Sequence, residues 1–98
     1  MRVRLHPTVD SDLSGIREHY EKEAGSDIAA EFYDEFLRQA EMIGERPESF
    51  TRQNARLRRS NLDRFPYHIL FEIMADYTIQ ILVVKHDHRK PSFGTRRR

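Results

Sequence analysis

The order of apolar and polar positions divides the chain into elements before any other property is needed. Residues 2–6, Arg-Val-Arg-Leu-His, alternate polar and apolar, which predicts a short strand with Val3 and Leu5 on one face. Pro7 stops it, because proline has no N–H to give to a ladder. From Val9 the period becomes helical. Val9, Leu13, Ile16, Tyr20 and Ala24 form one stripe of an amphipathic helix. Thr8 stands where a capping oxygen is favoured, and Asp10 and Asp12 in the first turn suit the helix dipole. Gly25 predicts the helix end. Ser26 or Asp27 can cap a second helix with the stripe Ile28, Ala29, Phe32, Phe36, Ala40 and Ile43, widened by Tyr33 and Leu37. Gly44 and Pro47 close it. So short a connection predicts an antiparallel helical hairpin.

The helical pattern is lost from Pro47 to Asn54, a connecting loop with Phe50 as its anchor. Residues 56–62 read as a ragged, arginine-rich strand. Asp63-Arg64-Phe65-Pro66 is a turn, and Tyr67–Ala75 and Thr78–His86 are the two strongest strands. The result is an α+β fold of order β-α-α-β-β-β, an antiparallel sheet packed by the helical hairpin. Residues 1–98 form a single domain, large enough for one modest core.

The last hairpin has two competing registers. A two-residue turn at Asp76-Tyr77 sets residue 68 opposite 85. A three-residue loop, Asp76-Tyr77-Thr78, sets 68 opposite 86. The longer loop keeps Ile69, Phe71, Ile73 and Ala75 beside Ile79, Ile81 and Val83, whereas the shorter turn puts Thr78 and Gln80 among them. Burying polar groups without partners is costly, so the longer loop is favoured. It would bring His68 and His86 together at one end of the other face, with Arg64 nearby.

Charge adds a polarity that the net value of +1 conceals. Residues 1–48 carry 6 Lys/Arg against 12 Asp/Glu, and residues 49–98 carry 11 against 4. An acidic helical side and a basic sheet side follow. A basic surface attracts polyanions, although lysine and arginine also protect strand edges from aggregation. The helix carboxylates Glu18, Glu21, Glu23, Asp34, Glu35, Glu41 and Glu45 read as solvated surface. Thr95-Arg96-Arg97-Arg98 reads as a mobile basic tail.

There is no cysteine for a disulfide or a thiolate metal site. His86 and His88 alternate on a strand and could share a metal, but no third ligand accompanies them, and no metal or cofactor is expected. No apolar run approaches ~18 residues, and the N-terminal residues lack a signal-peptide core. A cytoplasmic protein without membrane contact is the expectation.

The strand ends resemble a known family. Leu5-His6-Pro7 followed by Asp12-Leu13, then Arg64-Phe65-Pro66-Tyr67-His68-Ile69 opening a strand, and Leu82-Val83-Val84-Lys85-His86-Asp87-His88-Arg89-Lys90-Pro91 closing the last, resemble the RelE/ParE superfamily. These are toxins of bacterial type II toxin–antitoxin modules and include the plasmid stabilisation proteins. The resemblance covers nearly the whole chain. It implies a cognate antitoxin as partner, and one of two targets.

Ribosome-dependent mRNA endonucleases of the family drive the RNA 2′-hydroxyl against its own phosphate, which needs an acid, a base and cations. By that resemblance His86 matches the final-strand histidine of the YoeB-like members. His68 stands where those members place an arginine. Arg64, with Arg58 and Arg59, would hold phosphate, while Arg56, His88, Arg89 and Lys90 would extend the contact to RNA or another target. Phe93 could stack on a base but has no hydroxyl to move a proton. ParE-like members instead poison DNA gyrase without that catalytic set, and His86-Asp87-His88-Arg89 fits them at least as well. The two histidines and the clustered arginines tilt the expectation toward the ribosome and mRNA. A gyrase inhibitor, or a degenerate antitoxin-binding regulator, is the alternative.

Overall fold

The computed structural model describes residues 1–98. Its elements are β1 (Val3–Leu5), α1 (Val9–Ala24), α2 (Ser26–Glu45), a 3-10 turn (Pro47–Ser49), β2 (Thr51–Arg52), β3 (Arg58–Asn61), β4 (Tyr67–Ile73) and β5 (Ile79–His86). The order in the sheet is β1-β5-β4-β3-β2. The sheet is mixed, since β1 runs parallel to β5 while every other pair is antiparallel. A fifth strand, β2, lies within the expected loop.

Both helices pack on one face of the sheet. Val9, Leu13 and Ile16 of α1 and Phe32, Phe36 and Ile43 of α2 meet Ile69, Phe71, Ile79, Ile81 and Val84 of the two central strands. The predicted stripes therefore point inward, although Ala24 and Leu37 at their margins are exposed. Gly25 alone separates the helices. Its φ of 96° is a conformation that favours glycine, and its N–H caps the Tyr20 carbonyl at 3.0 Å. The side chains of Thr8, Ser26 and Asp27 do not cap; Gly25 itself occupies the position before α2.

Glu35 departs from the expected solvated role. It is 4% exposed, and its carboxylate accepts the backbone N–H groups of Asp63 and Arg64 in the turn between β3 and β4. Two donors that no strand can satisfy are thus satisfied from α2. Glu35→Ala would remove both of these bonds from the turn, and is expected to lower unfolding stability by about 1–2 kcal/mol in chemical denaturation.

The β4–β5 hairpin follows neither expected register next to its loop, but at the histidine end it takes the 68-opposite-85 pairing of the shorter turn and not the favoured 68-opposite-86. Its loop is Ala75-Asp76-Tyr77, with Tyr77 donating to the Met74 carbonyl (2.9 Å) and Met74 donating to Thr78 (2.7 Å). Tyr77 has φ 62°, the left-handed residue that commonly ends a three-residue hairpin loop. Ile73 faces Ile79 and Phe71 faces Ile81, but Leu70 faces Val83, so Leu82 is an extra residue in β5. Beyond this bulge His68 lies opposite Lys85, and Tyr67 opposite His86.

The bulge reverses the faces of the last residues of β5. Val84 joins the helix-side core, while Leu82 and Val83 join Leu57 and Leu70 on the other face under Phe93. His68 and His86 consequently lie on opposite faces of the sheet. The expected pairing of the two histidines is overturned.

The C-terminal residues do not extend into solvent as a free tail. Arg97 makes a two-pronged contact with Asp12 (2.6 and 3.0 Å) and also donates to the Leu82 carbonyl. The Arg98 carbonyl meets His6 Nε2 at 2.9 Å. His6 Nδ1 accepts from Thr8 N–H, so the ring proton sits on Nε2 and is donated to Arg98.

Candidate functional site

The chemistry-bearing residues gather at the C-terminal end of β5, on two separate sides. On the helix side His86 stacks edgewise on Tyr67, with ring centres 5.1 Å apart, and its Nδ1 accepts the His88 N–H at 3.0 Å. The His88 ring lies 5.3 Å from it. The Tyr67 and His86 rings border a cleft of about 400 Å³ between α1 and the end of β5. His19 and Gly15 of α1, Arg89 and Phe93 complete its rim. Neither phenol nearby is poised to move a proton: burial holds Tyr20 up at about 12, aided by Tyr67, and burial raises Tyr67 as well.

On the opposite side lies His68, whose side chain is 4% exposed. Asp87 can only accept, so His68 Nδ1–H donates to its Oδ1 at 2.8 Å. Arg59 approaches the same carboxylate oxygen at 3.5 Å. Burial lowers the His68 pKa from its ordinary value; Asp87 opposes that shift, while Arg59 and Lys85 reinforce it. His68 is thus held neutral, a donor in a closed network.

Because the folded chain binds a proton on His68 less readily than the unfolded chain, stability is full above the ordinary value of 6.5 and declines as pH falls below it. His68→Asn is expected to flatten that part of the stability–pH profile, measured by urea unfolding across the acid side of neutrality.

Lys85, on the same side as His68, is 5% exposed, and its ammonium donates to the carbonyls of Lys90 (3.3 Å), Pro91 (2.8 Å) and Phe93 (3.0 Å). Burial lowers its pKa, and the charges of Arg59, Arg89 and Arg97 add to the shift. It folds the chain after β5 back over the sheet, where Phe93 covers Leu57, Leu70, Leu82 and Val83. The Phe93 ring lies 4.0 Å from the Arg89 guanidinium and 5.3 Å from that of Arg97. Lys90 enters this arrangement through its carbonyl.

The arginines are spread out. Arg58 donates to the carbonyls of Glu48 and Phe50 and ties β3 to the preceding loop. Arg56 pairs with Glu72 at 3.3 Å and donates to Thr95 O at 3.0 Å. Arg64 pairs with Glu31 of α2, at 3.3 Å. Of the expected set, only Arg59 joins His68, and only His88, Arg89 and Phe93 join His86. The alternation of side chains along β5 pointed to the wrong partners because a bulge leaves no mark in that alternation. Sequence reasoning also passed over Glu35, His19 and Asp87 as site-forming groups. The hydrogen-bonding capacity of Asp87 beside a histidine was the available signal.

A helical hairpin on one face of a small mixed sheet, with β1 parallel to the last strand, is consistent with the fold of the RelE/ParE toxin superfamily. The family model for the ParE toxin of the type II toxin–antitoxin system parDE matches residues 3–91. The chain belongs to that family, and a toxin of this kind is paired with a cognate antitoxin. A solved structure described as the chromosomal ParDE TA system from P. aeruginosa has a similar fold, with a TM-score of 0.78 at 20% identity. The likeness covers 88% of this chain and 95% of that one. No curated protein matches the sequence. No helix is long and apolar enough to cross a membrane.

Proposed function

We propose that this toxin arrests growth by binding DNA gyrase, not by cutting mRNA. The observation that carries the reading is the separation of His68 and His86 onto opposite faces of the sheet, with His68 buried against Asp87. A concerted acid–base cleavage needs both groups within hydrogen-bond reach of one phosphodiester. The cations expected to hold that phosphate are also committed elsewhere: Arg58 to carbonyls, Arg64 to Glu31, Arg59 to Asp87. Membership of the ParE family supports the same target. The residues expected to contact RNA, among them His88, Arg89 and Lys90, are exposed and serve equally as a protein-binding surface.

The test sets purified toxin against gyrase supercoiling and, separately, against mRNA in a translating extract. Blocked supercoiling with intact mRNA is expected; cleaved mRNA with untouched supercoiling would overturn the proposal. His86→Ala sharpens it. Loss of a general acid or base costs roughly 10²–10⁴-fold in rate, whereas gyrase inhibition should change by less than about tenfold for one half-exposed contact. Expression without the antitoxin should halt growth, which a degenerate operon regulator would not do.

A further inference from the structure

The cleft between α1 and the end of β5 is a concavity of about 400 Å³, within the size range of small-molecule sites. Its only carboxylate is Asp12, and that group is fully engaged. Its oxygens accept two bonds from Arg97 and one from the Val84 N–H, and its side chain is 7% exposed. Apart from the Ser11 hydroxyl, the Tyr67 phenol and apolar side chains, the wall carries two cations, Lys85 and Arg89, and the imidazoles of His19 and His86, and Lys85 is already spent on three carbonyls. Arg56, Arg59, Arg64 and Arg97 each face a carboxylate, whereas Arg89 has none within ion-pair reach. Its guanidinium is instead held over the Phe93 ring at 4.0 Å, which fixes its position while leaving its N–H donors unspent.

His86 is fixed in the same way. Its Nδ1 is occupied by the His88 N–H and its ring is braced against Tyr67, which leaves Nε2 as its available donor. His19 comes from α1 on the facing wall. Gly15, one helical turn before His19, leaves the floor open: a Cβ built there meets no atom within 4 Å. Positioned donors of one sign, without a counter-charge, match a multiply charged oxyanion.

We propose that this cleft binds a phosphoryl group carried by a nucleotide-sized ligand. Arg89 and the two imidazoles hold the oxygens, and the Phe93 and Tyr67 rings offer a wall for an attached base. The site lies along the edge of β5, between α1 and the segment that carries Phe93, and does not include His68.

The test is titration of the purified chain, followed by imidazole NMR signals of His19 and His86, with inorganic phosphate, AMP, adenosine and a short single-stranded oligonucleotide as probes. AMP is expected to shift both signals saturably, and adenosine to leave them in place. Phosphate as effective as AMP would support the phosphoryl site without a base wall. An oligonucleotide that competes with AMP and binds more tightly would assign the phosphoryl group to a nucleic-acid backbone. Arg89→Gln should weaken AMP about tenfold or more, and Gly15→Glu, which puts a carboxylate into open space, should abolish binding while circular dichroism stays unchanged. Arg46→Gln, at the far end of α2, should have no effect. If neither phosphate nor AMP saturates, or if Arg46→Gln weakens binding as much as Arg89→Gln, the proposal is wrong.

Discussion

Phe32→Ala is expected to cost about 3–5 kcal/mol of unfolding stability, the largest loss from any single truncation in the core. Phe32 is 0% exposed and lies at the meeting point of the helical hairpin and the sheet. Its ring centre is 5.9 Å from Tyr20, 5.6 Å from Phe65 and 5.5 Å from Tyr67. Tyr20 belongs to α1, Phe65 to the turn before β4, and Tyr67 to β4 itself. Removing one ring therefore opens a cavity bordered by three elements at once, and the flat faces around it cannot all collapse inward. Each edge-to-face contact adds to the area term. Urea unfolding should show a lower midpoint with an unchanged slope. A loss near 1 kcal/mol would mean that the hairpin is held elsewhere.

Arg97→Ala is expected to cost about 3 kcal/mol, because it leaves a buried carboxylate without its counter-ion. The side chains of Arg97 and Asp12 are 13% and 7% exposed, so the carboxylate loses its counter-ion in a largely desolvated place. The double variant Asp12→Asn/Arg97→Ala should be more stable than Arg97→Ala alone, since the uncompensated charge is gone. That reversal distinguishes an ion-pair effect from lost packing of the arginine stem. Equal stability of the two variants would refute the electrostatic account.

Much of the architecture was legible in the residues. The two helices begin and end close to where Pro7, Gly25 and Pro47 predict, because those breakers act through local backbone geometry. The apolar stripes found the correct face for the same reason. The pairing of β1 with β5 could not be read, since three alternating residues fix no partner. The histidine site failed at a single residue. Leu82 is as apolar as its neighbours, and an inserted residue in an apolar run leaves the pattern plausible on both sides of it. Glu35 was misread because a carboxylate on a helix looks solvated until the turn that needs it is placed alongside. Arg97 was misread as tail for a related reason: its partner lies 85 positions earlier, in the first turn of α1.

The pairing of β1 with β5 has a kinetic consequence. Val3 aligns with Ile79, His6 holds Arg98, and Asp12 holds Arg97, so much of the first dozen residues finds native partners among the last twenty. Contacts of such sequence separation close large loops and form late. During synthesis the helical hairpin can form early, but β1 and the first turn of α1 must wait for residues 79–98. The surface at the end of β5 cannot exist before then. The docking of the N-terminal residues is thus completed only once the last strand and the segment after it have been made.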